Sequence, residues 1–162
     1  MTCQVLDTTV LSNFAHVQRP ELLYMILGAT ALTSPKVMAE LRMGEMLGLV
    51  PHCDWRWLAA VKLEPEEEKL ADAFLDRVDA GEAGCLAIAI LRHCSILTDD
   101  FAARRLAAEH GVPVSGTLGL LVRLVQAQHL SVAQADLLLA DMRSHGYRAP
   151  IRSLAELGLG PT

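Results

Sequence analysis

Acidic residues stand where a parallel α/β fold would bring them together. Asp7 follows one short apolar run and the pair Asp99-Asp100 follows another, while Glu40 and Glu82 fall in stretches with helical patterns. Carboxylates that are crowded together without basic partners repel one another and raise each other's pKa. A hard divalent cation such as Mg²⁺ relieves this repulsion and can activate water for attack on a phosphodiester bond. The acids therefore predict metal-dependent phosphodiester hydrolysis.

Each of these acids also has a structural explanation. Asp7 suits the N-cap of the helix that follows it, and either member of the pair 99–100 suits the cap of a later helix. Glu40 suits a solvent-exposed face. Asp79 and Glu82 have the spacing of a capping box. Taken one at a time, the acids do not require a metal, and it is their combination in four separate segments that favours one.

Short apolar runs alternate with helical patterns along the chain. Strands are predicted over residues 3–6, 29–33, 94–98 and 112–114. Helices are predicted over residues 8–17, 21–27, 35–47, 64–78, 79–91, 101–110, 117–128 and 132–144, and a turn or helix packed on the body over residues 51–63. This alternation indicates βαβ units and a parallel sheet that is covered on both faces. Ligands bind outside the carboxyl ends of such strands, where Asp7 and the 99–100 pair lie.

The composition is that of one folded domain. The 162 residues are 52% apolar, which is enough for a hydrophobic core and excludes a disordered chain. A net charge of −5 excludes a uniformly basic nucleic-acid-binding surface, and an aromatic content of 4% argues against a platform of stacking side chains for single strands. We expect residues 1–145 to form the functional domain and residues 146–162 a peripheral tail.

The cysteines and the N-terminus bear on the cellular compartment. Cys3, Cys53, Cys85 and Cys94 lack the paired spacing of a zinc site. The first residues lack the basic and apolar segments of a signal peptide, and no apolar run reaches the length of a membrane span. We therefore expect a soluble cytoplasmic protein with reduced thiols and no membrane partner.

Five segments, in their order along the chain, resemble the motifs of PIN-domain ribonucleases. They are Val5-Leu6-Asp7-Thr8-Thr9-Val10-Leu11-Ser12-Asn13-Phe14, Ser34-Pro35-Lys36-Val37-Met38-Ala39-Glu40-Leu41, Ala80-Gly81-Glu82-Ala83, Ile96-Leu97-Thr98-Asp99-Asp100-Phe101-Ala102-Ala103-Arg104 and Gly116-Thr117-Leu118-Gly119-Leu120-Leu121. The Gly-Glu-Ala and Thr-Asp-Asp forms are most similar to a prokaryotic branch related to VapC-type toxins. The resemblance implies a three-layer α/β/α fold with a central, mainly parallel sheet of 4–5 strands. It also implies an acidic pocket for Mg²⁺ or Mn²⁺, cleavage of single-stranded or structured RNA, an antitoxin partner and a homodimer.

The resemblance also implies roles for individual acids. Asp7, Glu82 and an acid of the pair Asp99-Asp100 would hold the metal, with Asp100 preferred because it occupies the acid position of the common Thr-x-Asp pattern. Glu40 would position a water molecule. Many family members place the third acid about one helical turn after Glu82, so this chain departs from the pattern there.

Three further residues are candidate substrate contacts. Thr8 and Thr117 match small polar positions near the pocket of the family and would bind water or phosphate. Arg104 follows the late acids by about one turn and would face the pocket. Its structural alternative is an ion pair with Asp100 at a spacing of four residues, worth only tenths of a kcal/mol.

Two alternative functions stay open at this point. A haloacid-dehalogenase-like phosphohydrolase also begins with a strand that ends in Asp. Its second acid would fall on Thr9, however, and no Lys follows Lys69 to meet the phosphate. The other alternative is a partner-binding domain of PIN fold with a lapsed catalytic site, and the presence of acids in all four segments argues against it.

Overall fold

Five parallel strands form the centre of the fold, in the order β3-β2-β1-β4-β5. The computed structural model describes residues 2–159. The strands are β1 (Gln4–Leu6), β2 (Ala31–Thr33), β3 (Ala59–Ala60), β4 (Ser95–Leu97) and β5 (Val114–Ser115). In the middle of the sheet, β1 pairs with β4 so that Leu6 lies opposite Leu97. The residues that follow these two strands therefore emerge side by side at one edge of the sheet.

Eight α-helices surround the sheet in the described part of the chain. They are α1 (Thr8–His16), α2 (Glu21–Leu27), α3 (Pro35–Met46), α4 (Pro65–Phe74), α5 (Ala80–Leu91), α6 (Phe101–Glu109), α7 (Thr117–Gln126) and α8 (Val132–Ser144). Their starts follow the chemistry of the sequence. The hydroxyl of Ser34 accepts a hydrogen bond from the N–H of Val37, with Pro35 in the first turn. A capping box between Ser131 and Gln134 begins α8 in the same way.

Helix α5 is enclosed by the rest of the fold. Every residue from Gly81 to Ala89 is buried, because α5 contacts the central strands β1 and β4 as well as helices α3, α4 and α6. A helix that is apolar on all sides needs such surroundings. Helix α7 contacts β5 and the helices α2 and α8. The predicted three-layer α/β/α fold, with a parallel sheet of 4–5 strands, is confirmed.

The structure differs from the predicted elements mainly where tertiary pairing decides the backbone. Residues 51–63 contain β3, an exposed edge strand whose Ala60 lies opposite Thr33. Two exposed alanines carry no alternating pattern, so their strand was not predictable from local sequence. Helix α4 ends at Phe74 rather than at residue 78.

The prediction of reduced thiols is wrong for two of the four cysteines. Cys3 and Cys94 form a disulfide, with their Cα atoms 4.8 Å apart. They precede the paired strands β1 and β4, and a separation of 91 residues hides this proximity from the sequence. Cys53 and Cys85 are buried free thiols. Among residues 2–159, no helix has the length and apolar character that crossing a membrane requires.

The segment after α8 folds back onto the body of the protein. Asp136 of α8 accepts hydrogen bonds from the hydroxyl of Ser153 and from the N–H of Leu154, both at 2.8 Å. Leu154 is fully buried and opens a short 3₁₀ turn, Leu154–Leu157. Residues 160–162 of the predicted tail lie outside the described residues, and the domain boundary at residue 145 stays a prediction.

Candidate active site

The acids that the sequence singled out line one cavity. Asp7 follows β1, and Asp99 and Asp100 follow β4, so the pairing of these strands brings the three side chains together. Helix α3 contributes Glu40, and the first turn of α5 contributes Glu82. Together with Asp79, these residues contribute six carboxylates to the lining of a cavity of 790 Å³.

Asp7 is the most enclosed of these carboxylates. It is 1% exposed and accepts hydrogen bonds from the N–H of Thr8 at 2.7 Å, the hydroxyl of Thr9 at 3.1 Å and the hydroxyl of Thr98 at 2.9 Å. These donors favour the ionised form, but burial outweighs them and raises the pKa of Asp7 to about 6. The carboxylate is thus held firmly in place at a cost in solvation.

Glu82 is both a capping residue and a member of the cavity. Its side chain accepts a hydrogen bond from the N–H of Asp79, and the Asp79 carboxylate accepts one from the N–H of Glu82. The capping-box explanation is therefore confirmed and does not exclude the functional one. Burial, followed by repulsion from Asp7, raises the pKa of Glu82 to about 8, with Asp79 and Asp100 adding to that repulsion.

Two contacts position the carboxylate of Glu40 at the cavity. Its Oε2 accepts a hydrogen bond from the hydroxyl of Thr8 at 2.6 Å. On the other side, the carboxylate lies against the backbone of Gly81, where a Cβ atom would come within 2.7 Å of both carboxylate oxygens. Thr8, predicted as a substrate contact, lines the cavity and orients Glu40.

Asp99 and Asp100 differ in how many of their carboxylate oxygens accept hydrogen bonds from the protein. Asp99 accepts hydrogen bonds from the N–H and hydroxyl of Thr117 and from the amide of Asn13. Burial nevertheless raises the pKa of Asp99 above its ordinary value. Asp100 accepts from the N–H of Ala103 through Oδ2 at 2.8 Å, as the N-cap of α6. Its Oδ1 has no hydrogen-bond partner in the described part of the protein.

Thr117 and Arg104 do not line the acidic cavity. Thr117 is fully buried and bonded to Asp99. Arg104 donates a hydrogen bond from Nη1 to the carbonyl of Thr98 at 2.9 Å. It lines an adjacent cavity of 320 Å³ that shares Asp99, Tyr147 and Arg148 with the acidic one. No ion pair joins Arg104 to Asp100 within residues 2–159, so the alternative explanation of Arg104 finds no support there.

Several residues of the cavity were not predicted from the sequence. They include Asn13, Asp79, Phe101, His145, Tyr147 and Arg148. The segment 145–148 reaches the cavity because α8 packs on α1, where the ring of His145 stacks on that of His16 with centroids 4.9 Å apart. Only this long-range packing reveals it. The sequence indicates Asp79 only as a capping residue, and Asn13 and Phe101 lie within the motifs without an assigned role.

The donor set of the cavity fits a hard divalent cation. Its six carboxylates supply the oxygen ligands that Mg²⁺ and Mn²⁺ prefer. Burial raises the pKa of Asp7 and, together with repulsion from neighbouring carboxylates, that of Glu82, so a bound cation would favour their ionised forms. Across residues 2–159, no three Asp, Glu, His or Cys side chains are already gathered at metal-binding spacing. The positions of the carboxylates are set instead by the local hydrogen bonds described above.

The chain matches a known protein family over nearly its whole length. A family model described as "DUF3368: PIN domain" matches residues 3–157, which include all five strands, all eight helices and every acid of the cavity. Neither the search of curated proteins nor that of solved structures found a match.

Proposed function

The chain belongs to the PIN-domain family, whose members are generally nucleases that depend on a divalent metal, and we propose that it is an Mg²⁺- or Mn²⁺-dependent endoribonuclease. One observation carries the proposal. Six carboxylates line a single cavity at the carboxyl ends of the two central strands, and Arg148 is the one Lys or Arg among the described residues that line it. Such a cluster is costly without a bound cation and suited to hydrolysis with one.

In this proposal, Asp7, Glu82 and Asp100 hold the cation. When bound, the cation lowers the pKa of water and offsets the negative charge that develops on the phosphate. Asp7 is fixed for its role by three hydrogen bonds. Glu40, oriented by Thr8, accepts a hydrogen bond from the attacking water and steers it towards phosphorus. Hydrolysis then places a phosphate on one product and a hydroxyl group on the other.

The hydrogen bonds support Asp100 over Asp99 as the late metal ligand. Both oxygens of Asp99 accept bonds that tie β4 to α1 and α7, whereas Asp100 keeps one oxygen without a protein partner. We assign Asp99 and Thr117 to positioning, Thr8 to the orientation of Glu40, and Arg104 to contact with a phosphate outside the acidic cavity.

The decisive experiment incubates the purified chain with a labelled RNA pool in Mn²⁺, in Mg²⁺ and in EDTA. We expect internal cleavage with either metal and none in EDTA. Asp7→Asn should lower the rate by a factor on the order of 10² or more, because the buried carboxylate cannot be replaced by solvent. Asp54→Asn is the matched control, since Asp54 is exposed and paired with Arg56. Full activity of folded Asp7→Asn would contradict the proposal.

Calorimetry with Mn²⁺ separates an active enzyme from a partner-binding domain with a lapsed site. The active site requires metal binding that weakens in Glu82→Gln, and a lapsed site would bind none. The phosphohydrolase alternative gains no support, because Thr9, at the position of its second acid, donates a hydrogen bond to Asp7 instead.

We also propose that the chain is the toxin of a toxin–antitoxin pair, that it forms a homodimer, and that it acts in the cytoplasm, where RNA is available. A group of exposed apolar residues at the end of α3 supports a protein partner; they are Met43, Met46, Leu47 and Leu49.

Light scattering tests the dimer. Induced expression should arrest growth of a bacterial host, and Asp7→Asn should not. Growth at the normal rate with the active protein would contradict the toxin role.

A further inference from the structure

Phe101 is exposed beside the acidic cavity. Its side chain is 79% exposed, whereas Phe14 and Phe74 are buried at 0% and 6%. It is the first residue of α6, directly follows Asp100, and lines the cavity with it. A single exposed apolar residue is common on protein surfaces. What distinguishes Phe101 is that an aromatic face stands next to a proposed metal ligand.

Arg148 supplies the positive charge that the cavity otherwise lacks. It is exposed and lines both the acidic cavity and the adjacent cavity that holds Arg104. Within residues 2–159 no carboxylate lies in ion-pair distance of its guanidinium. A polyanionic strand is repelled by the six carboxylates, so its phosphates next to the reacting one need a cation nearby.

We propose that Phe101 and Arg148 hold the substrate strand at the active site. The ring of Phe101 stacks on an unpaired base, and the guanidinium of Arg148 binds a phosphate of the same strand, with Arg104 in the neighbouring cavity. This inference rests on the proposed nuclease function and assigns the residues that select the substrate. One aromatic ring is compatible with the low aromatic content, because it grips one base and does not form an extended platform.

The two contacts have different physical signatures. Stacking of a base on an aromatic ring is worth about 1–3 kcal/mol and does not depend strongly on salt. A contact between Arg and a phosphate releases counterions, so its loss reduces the dependence of binding on salt concentration. A base that is already paired in a duplex is not available to Phe101. The Phe101 contact should therefore discriminate single strands from duplexes.

The test measures binding of a fluorescent single-stranded RNA in the Asp7→Asn background, where cleavage does not interfere. Phe101→Ala should weaken binding about tenfold with an unchanged salt slope, and Phe101→Trp should restore it. Phe101→Leu, which keeps an apolar side chain without the ring, should bind as poorly as Phe101→Ala. Arg148→Gln should weaken binding and lower the salt slope by about 1. Duplex RNA should bind equally to the Phe101 variants.

Matched controls separate this inference from the proposed function. Leu137→Ala removes an apolar side chain that is 72% exposed on α8, and Arg56→Gln removes an exposed cation that does not line the acidic cavity. If RNA binds but Phe101→Ala and Arg148→Gln behave like these controls, the inference is overturned and the proposed function stands. If Phe101→Leu binds fully, stacking is overturned. Failure of the chain to bind or cleave any RNA would overturn both.

Discussion

At the scale of single residues, hydrogen bonds hold the carboxylates of the cavity in position but do not fully offset the cost of burying their charge. Asp7 accepts three hydrogen bonds, yet burial still raises its pKa to about 6. Glu82 receives one bond from the backbone, and its pKa rises to about 8. The threonines around Asp7 are neutral donors, which fix a carboxylate without cancelling its charge. The hydrogen bonds thus set the positions of these carboxylates, and a bound cation would favour their ionised forms.

The raised pKa of Glu82 predicts how stability depends on pH without divalent cations. Between its ordinary pKa of 4.5 and the folded value of about 8, the folded state retains a proton that the unfolded chain releases. Stability should therefore fall as pH rises through this window, with the favourable contribution complete below pH 4.5 and lost above pH 8. Urea unfolding in EDTA at about pH 5.5 and pH 8.5 measures this difference.

Glu82→Gln isolates the contribution of this group. Glutamine cannot ionise, but its carbonyl oxygen can still accept the hydrogen bond from the N–H of Asp79. The variant should lose less stability than the original chain between the two pH values. An identical loss in both proteins would mean that Glu82 does not titrate in this window.

The contact between Gly81 and Glu40 predicts a loss of activity without a loss of stability. A Cβ atom at position 81 would come within 2.7 Å of the Glu40 carboxylate, which is the mobile end of a side chain and can move away. Gly81→Ala should therefore displace Glu40 and slow RNA cleavage by tenfold or more, on the order expected for a misplaced catalytic group. Alanine should favour the helix by up to about 1 kcal/mol.

Gly84→Ala is the matched control for this prediction. It makes the same change within α5, but its Cβ would meet Leu63 at 3.7 Å and Ser34 at 3.9 Å, which are ordinary contacts. This variant should cleave RNA at the original rate. Equal rates for the two variants would show that the position of Glu40 against Gly81 does not matter.

At the scale of elements, the candidate site depends on where helices and strands begin and end. The sequence predicted the carboxyl ends of β1 and β4 and the starts of α3 and α5 to within one residue, because these boundaries carry local signals such as Ser34-Pro35 and Asp79-Ala80-Gly81-Glu82. It therefore predicted five of the six acids that line the cavity, all except Asp79. It did not predict that Tyr147 and Arg148 would join them, because only the packing of α8 on α1 brings that segment to the cavity.

The two acids that follow β4, Asp99 and Asp100, should respond differently to substitution. Asp99→Asn should destabilise the protein by about 1–3 kcal/mol, because an amide cannot accept all the hydrogen bonds that Thr117 and Asn13 donate. Asp100→Asn should leave stability nearly unchanged, since Asn is as good an N-cap as Asp. It should nevertheless lower the rate of RNA cleavage strongly. Denaturant unfolding and cleavage assays on both variants check the assignment, and strong activity of Asp100→Asn would reverse it.

At the scale of the whole molecule, a disulfide and the acidic cavity lie at opposite ends of the same two strands. The disulfide between Cys3 and Cys94 lies at the amino ends of β1 and β4. The acidic cavity lies at the carboxyl ends of the same two strands. The pairing of β1 with β4 thus brings together the two cysteines, which are 91 residues apart in the sequence, and also the acids that follow the two strands. Local patterns predict both strands, but they do not show which strands become neighbours.

This separation predicts that the disulfide contributes to stability and not to activity. A link across 91 residues restricts the unfolded chain, so the double variant Cys3→Ala/Cys94→Ala should lose about 2–4 kcal/mol of unfolding free energy. A reducing agent should destabilise the original chain and leave the double variant unaffected. RNA cleavage at a temperature where both proteins are folded should proceed at equal rates. If reduction slowed cleavage under those conditions, the two edges of the sheet would be coupled, because the free thiols Cys53 and Cys85 are buried and already reduced.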